Sequence, residues 1–99
     1  MLGSWFDASE AKRHGLALAE IVVNGYPASE RKKGDKAVVH KAKILGQIFT
    51  QAKQFKQAHK PNFYKKAALG NAFKWELLEQ GFDAKFADDL THQLLLHMK

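Results

Sequence analysis

The side chains best placed to do chemistry are an acid and a histidine spaced about one helical turn apart. Asp88 and His92 are four residues apart in a segment of helical periodicity, so they share one helix face. A carboxylate and an imidazole in this arrangement can hold a divalent metal ion together. A convincing site needs a further ligand from another helix, and the sequence does not identify one, because His14, His40 and His59 are isolated. We therefore predict no metal site and interpret the pair as an exposed acid–histidine contact.

Motifs of common catalytic sites are missing from the sequence. It has no Gly-rich phosphate loop, no Gly-x-Ser-x-Gly and no His-Glu-x-x-His. It has no cysteine, which excludes disulfides, thiolate catalysis and cysteine-ligated zinc. We expect neither enzymatic activity nor a cofactor.

Positive charge is concentrated in the middle of the chain. The net charge is +6, and residues 31–66 contain eleven basic residues and a single acid. Lysines on a loop and on the helix after it can neutralise phosphates without reading base sequence. Non-specific nucleic-acid binding by segment 31–66 is therefore an alternative function. The candidate contacts to phosphates or to another partner are Arg31, Lys32, Lys33, Lys36, Lys41 and Lys43.

Two features weigh against binding to nucleic acid. The chain has only two arginines, although arginine is the preferred residue for bidentate contacts to phosphate and guanine. Residues 77–87 resemble the turn of helix-turn-helix DNA-binding domains, but the helix after this turn carries Asp88 and Asp89, which DNA would repel. The pattern instead indicates a helical hairpin capped by Asp83. Solvated lysines that keep a small protein in solution are the simpler explanation of the charge.

The chain is rich in aromatic residues, with seven Phe, two Trp and two Tyr. Trp5 precedes the first predicted helix, and Trp75 lies on a helix that carries apolar residues on nearly two sides. These side chains either fill the core or remain exposed, and exposed aromatic residues mark interaction surfaces. We predict a protein–protein interaction or adaptor module that uses Trp5 or Trp75, with an unknown protein partner or a second copy of the chain.

The periodicity predicts a single all-α domain over residues 1–99, with four principal helices in a bundle-like or orthogonal array. Helix-capping residues and glycines mark the boundaries: Asp35 is expected to cap the second helix, and Gly25 is expected to end the first in the left-handed conformation. The longest apolar run is three leucines, and no signal-peptide pattern occurs, so we expect a cytoplasmic protein without membrane association. The predicted helices cover about residues 8–24, 36–59, 62–80 and 84–98, with a flexible basic loop at 25–35.

Overall fold

The computed structural model describes residues 7–36 and 41–99, and of residues 33–36 and 41 it describes the backbone alone. The described residues form helices and no strand, which confirms the predicted all-α fold of four helices. The elements in chain order are α1 (Ser9–Gly25), a 3-10 helix (Ala28–Lys36), α2 (Lys41–His59), α3 (Phe63–Glu79) and α4 (Ala84–Leu96).

The boundaries of α3 and α4 agree closely with the prediction because local side chains set them. The Asn62 carboxamide oxygen accepts a hydrogen bond from the Lys65 backbone N–H (2.8 Å), and the Asp83 carboxylate accepts one from the Phe86 N–H (3.0 Å). Gly81 follows α3 in the left-handed region, with φ of 89°. The N–H groups of Gly81 and Phe82 donate hydrogen bonds to the carbonyls of the second-last and third-last residues of α3, which completes a Schellman motif.

Between α1 and α2 the structure differs from the prediction. Residues 28–36 form a 3-10 helix where the composition predicts an irregular loop, and α2 begins at Lys41, so Asp35 does not cap it as expected. Gly25 was expected to end α1 with a left-handed backbone, but its φ is not positive. Its small size serves packing instead, because a methyl group on Gly25 would overlap the Ile44 side chain.

The helices alternate in direction, but their spatial order differs from their order in the chain. The start of α1 lies near the end of α2, where Glu10 meets His59, whereas Gly15 of α1 lies against Leu69 of α3. The most extensive packing joins α1 to α3, which run parallel, and α4 packs on α3 and less extensively on α2. The short connection at residues 60–62 therefore crosses one end of the bundle diagonally. It begins with Lys60 in the left-handed region, with φ of 45°.

All four helices contribute to one apolar core. Along α1 the buried positions follow the spacing i, i+4, i+7, i+8 and i+11, as expected of a single core-facing stripe. No helix within residues 7–36 and 41–99 has the length and apolar character needed to cross a bilayer. The largest fully buried side chains are Val22, Ile48, Leu69, Phe73, Leu77, Leu94 and Met98.

Candidate functional site

A groove runs between α1 and α3 on the face of this helix pair that is exposed to solvent. Its volume is about 410 Å³. The α3 residues that line it recur at helical spacing and form one stripe along that helix. Lys12 lines the groove from α1, and from α3 it is lined by Tyr64, Ala67, Ala68, Asn71, Ala72 and Trp75.

Large apolar side chains remain exposed along this α1–α3 face. Trp75, one of the two predicted interaction residues, is 62% exposed, and Leu16 of α1 and Tyr64 of α3 are 45% and 42% exposed. The residues between Tyr64 and Trp75 that line the groove include three alanines, whose small side chains leave a hollow beside Trp75. An exposed aromatic residue beside an apolar hollow is typical of a surface that another chain covers.

Charged residues occupy both ends of this face. Lys12 lies beside the alanine-lined part, and Glu20 and Glu76 line the next depression along the same two helices, together with Leu16. Lys12 and Glu20 are eight residues apart on α1, or about 12 Å along the helix axis. The α1–α3 face is therefore positive near the start of the helices and negative further along.

Arg31, one of the predicted phosphate contacts, is held by hydrogen bonds within the fold. Its guanidinium donates hydrogen bonds to the backbone carbonyls of Val23 (3.2 Å), Tyr26 (3.1 Å) and Gln80 (3.1 Å). It also lies over the Phe82 ring, 5.5 Å from the ring centroid. Arg31 thus binds carbonyls at the ends of both α1 and α3, and three of its five N–H donors are used in doing so.

The structure describes the side chains of only some of the other predicted phosphate contacts. Lys32 and Lys43 are exposed, whereas the side chains of Lys33, Lys36 and Lys41 lie outside the described residues. Further basic residues of segment 31–66 lie at the opposite end of α2, about 20 Å from Lys43. They include Lys56, which donates a hydrogen bond to the backbone carbonyl of Lys99, and Lys60, Lys65 and Lys66. The described lysines of this segment therefore lie towards both ends of α2, with the exposed Lys53 between them.

Two other candidates from the sequence are Trp5 and the pair formed by Asp88 and His92. Trp5 lies outside the described residues. The Asp88 carboxylate pairs with the Lys74 ammonium (3.1 Å), and the neighbouring Asp89 pairs with Lys85 (3.1 Å). His92 is exposed, and the part of the chain that the structure describes brings no third ligand to it.

The structure instead brings together two histidines that are isolated in the sequence, His14 and His59. Glu10 and His14 are four residues apart on α1, and His59 is the last residue of α2. One potential ligand atom from each of these three side chains lies within 4.8 Å of the other two. Glu10 and His14 have the same four-residue spacing as Asp88 and His92, so the sequence could have indicated this pair. The approach of His59 depends on how α1 and α2 pack, which the sequence does not show.

Comparisons with models of protein families, with curated proteins and with solved structures found no significant match.

Proposed function

We propose that this chain is a non-enzymatic protein–protein interaction module that pairs with a second copy of itself through the α1–α3 face. The observation that carries the proposal is the Trp75 side chain, 62% exposed at the edge of an alanine-lined groove. Tryptophan buries more apolar area than almost any other residue when it is covered, and it is enriched among the residues that dominate binding energy.

The charges on the α1–α3 face favour a second copy as the occupant. Symmetric dimers use the same surface patch on both chains. If the two-fold axis passes near Leu16, perpendicular to the α1–α3 face, the helices of the two chains lie antiparallel. Lys12 of one chain would then lie opposite Glu20 of the other, and the reverse pair would form on the other side of the axis. Leu16 and Trp75 would lie near the centre of the interface, where water is excluded most completely.

The size of the α1–α3 face indicates which class of interface it can form. Helices of seventeen residues are about 25 Å long, and two of them side by side cover a width of about 20 Å. A face of these dimensions belongs to the small, transient class of interfaces, which bury less than about 1,200 Å² in total. We therefore expect weak, reversible association.

Sedimentation equilibrium over a wide range of protein concentrations tests the proposal. The chain is expected to associate reversibly into dimers. Trp75→Ala should weaken the dimer by about 2 kcal/mol, or roughly 30-fold, because it removes a central aromatic anchor. Leu96→Ala is the matched control, since Leu96 is 42% exposed on α4, away from the groove.

A charge exchange makes the test specific to the antiparallel pairing. Lys12→Glu and Glu20→Lys should each weaken the dimer, because each places like charges opposite one another. The double variant restores opposite charges across the axis and should recover most of the association. A chain that stays monomeric at high concentration, or a dimer that Trp75→Ala and Leu96→Ala weaken equally, would overturn the proposal.

A further inference from the structure

Three metal-ligating side chains meet where α1 begins and α2 ends. The Glu10 Oε1 and His59 Nε2 atoms are 3.7 Å apart, and the centroids of the His14 and His59 rings are 5.6 Å apart. Glu10 and His14 are four residues apart on α1, and His59 lies on α2. The set is therefore held by the packing of two helices and not by a single flexible loop.

Phe55 positions both imidazole rings. Its ring centroid lies 4.3 Å from that of His14 and 4.7 Å from that of His59. Phe55 is itself buried, so it provides a firm apolar wall against which the two rings pack. Side chains that are already restrained lose less conformational entropy when they bind a ligand.

The surroundings of the cluster leave access for an ion and balance its charge. A depression of about 310 Å³ opens beside it, and Glu10 and His59 are among the residues that line this depression. The carboxylates of Asp7 and Glu10 offset the positive charges of Arg13 and Lys65, which line it as well. His14 lies deeper than Glu10 and His59 and is half-buried.

We propose that Glu10, His14 and His59 form a zinc-binding site. Two imidazoles and one carboxylate are a ligand set that zinc accepts, with water completing a tetrahedral sphere. In such a sphere ligand atoms are about 3.3 Å apart, as follows from bonds of about 2.0 Å. The Glu10–His59 separation is already close to that value. The remaining separations, up to 4.8 Å, close by small rotations of Glu10 and His59, both of which are exposed.

The zinc site is independent of the proposed dimer. Glu10 and His14 face α2, whereas Lys12 and Leu16 line the α1–α3 face. Trp75→Ala should therefore bind zinc as the unmodified chain does. Failure of one proposal leaves the other standing.

Isothermal titration of the full, tag-free chain with zinc chloride, after removal of metal with a chelator, tests the site. One zinc ion should bind per chain and raise the thermal unfolding midpoint. His14→Gln, His59→Gln and Glu10→Gln should each lower the affinity at least about 10-fold. Cobalt(II) should produce the intense visible absorption of four-coordinate geometry.

The control is His92→Gln, which removes a histidine next to the acids of α4 and should leave zinc binding unchanged. Circular dichroism of each variant separates loss of the site from loss of the fold, and all three ligands are at least partly exposed, so the variants should remain helical. Absence of zinc uptake by the unmodified chain would overturn the proposal. So would binding that survives the combined His14→Gln and His59→Gln changes.

Discussion

At the scale of single residues, the neighbours of His14 determine its pKa. Partial burial lowers its pKa below the ordinary value of 6.5, the nearby His59 lowers it further, and the Glu10 carboxylate opposes both effects. The unfolded chain lacks this environment and binds the proton more tightly. The free energy of unfolding should therefore fall as the pH drops below about 6.5, because protonation of His14 then favours the unfolded state.

Substitutions of the two neighbours should move the His14 pKa in opposite directions. Glu10→Gln removes the attraction to the charged imidazole and should lower the pKa further, whereas His59→Gln removes a repulsion and should raise it toward 6.5. Titration of the His14 ring signals by nuclear magnetic resonance, without metal, measures both changes. The His92→Gln variant should leave the His14 pKa unaltered. Shifts of the same sign in the two neighbour variants would contradict the assigned causes.

At the scale of the helices, glycines within helices show which contacts demand a small residue. A methyl group on Gly15 would overlap the backbone carbonyl oxygen of Leu69, so this glycine allows α1 and α3 to approach closely. Gly46 of α2 has no atom within 4 Å of such a methyl group. The sequence marks both positions alike, as glycines in predicted helices, and only the packing distinguishes them.

Alanine at these two positions should change stability in opposite directions. Gly15→Ala should lower the free energy of unfolding by about 1–3 kcal/mol, because backbone atoms of α3 must move to admit the new methyl group. Gly46→Ala should raise it by about 1 kcal/mol through the higher helix propensity of alanine. Urea denaturation of the two variants beside the parent chain measures both effects. A stabilising Gly15→Ala would mean that the backbones of α1 and α3 are not in close contact at Gly15.

At the scale of the whole molecule, Arg31 links parts of the chain that are far apart in sequence. Its side chain binds carbonyls at the ends of α1 and α3, and its backbone carbonyl accepts a hydrogen bond from the Asp83 N–H (3.0 Å). The 3-10 helix that contains it is thereby attached to the turn between α3 and α4. These bonds explain why the segment is ordered as a 3-10 helix although its composition is that of a loop.

Removal of this link should destabilise the whole fold. Arg31→Ala should lower the free energy of unfolding by about 2 kcal/mol, since it leaves carbonyls at two helix ends without their charged donor. Arg31→Lys should recover little of the loss, because an ammonium group cannot reach three carbonyls as a planar guanidinium does. Thermal and urea unfolding are the measurements, with the exposed neighbour variant Lys32→Ala as control. Equal stability of Arg31→Ala and Lys32→Ala would refute this role.

The sequence by itself determined the number of helices and the ends of two of them. Asn62, Gly81 and Asp83 act on backbone groups within one helical turn. The apolar stripes follow from the period of a single helix. Because these features are local, they can be predicted before the tertiary structure is known. Tertiary structure alone decided that α1 lies beside α3, which leaves Trp75 exposed over a groove. It also decided that His59 reaches Glu10 and His14 and that Arg31 binds helix ends. These outcomes depend on contacts between residues tens of positions apart, and no short-range pattern encodes such contacts.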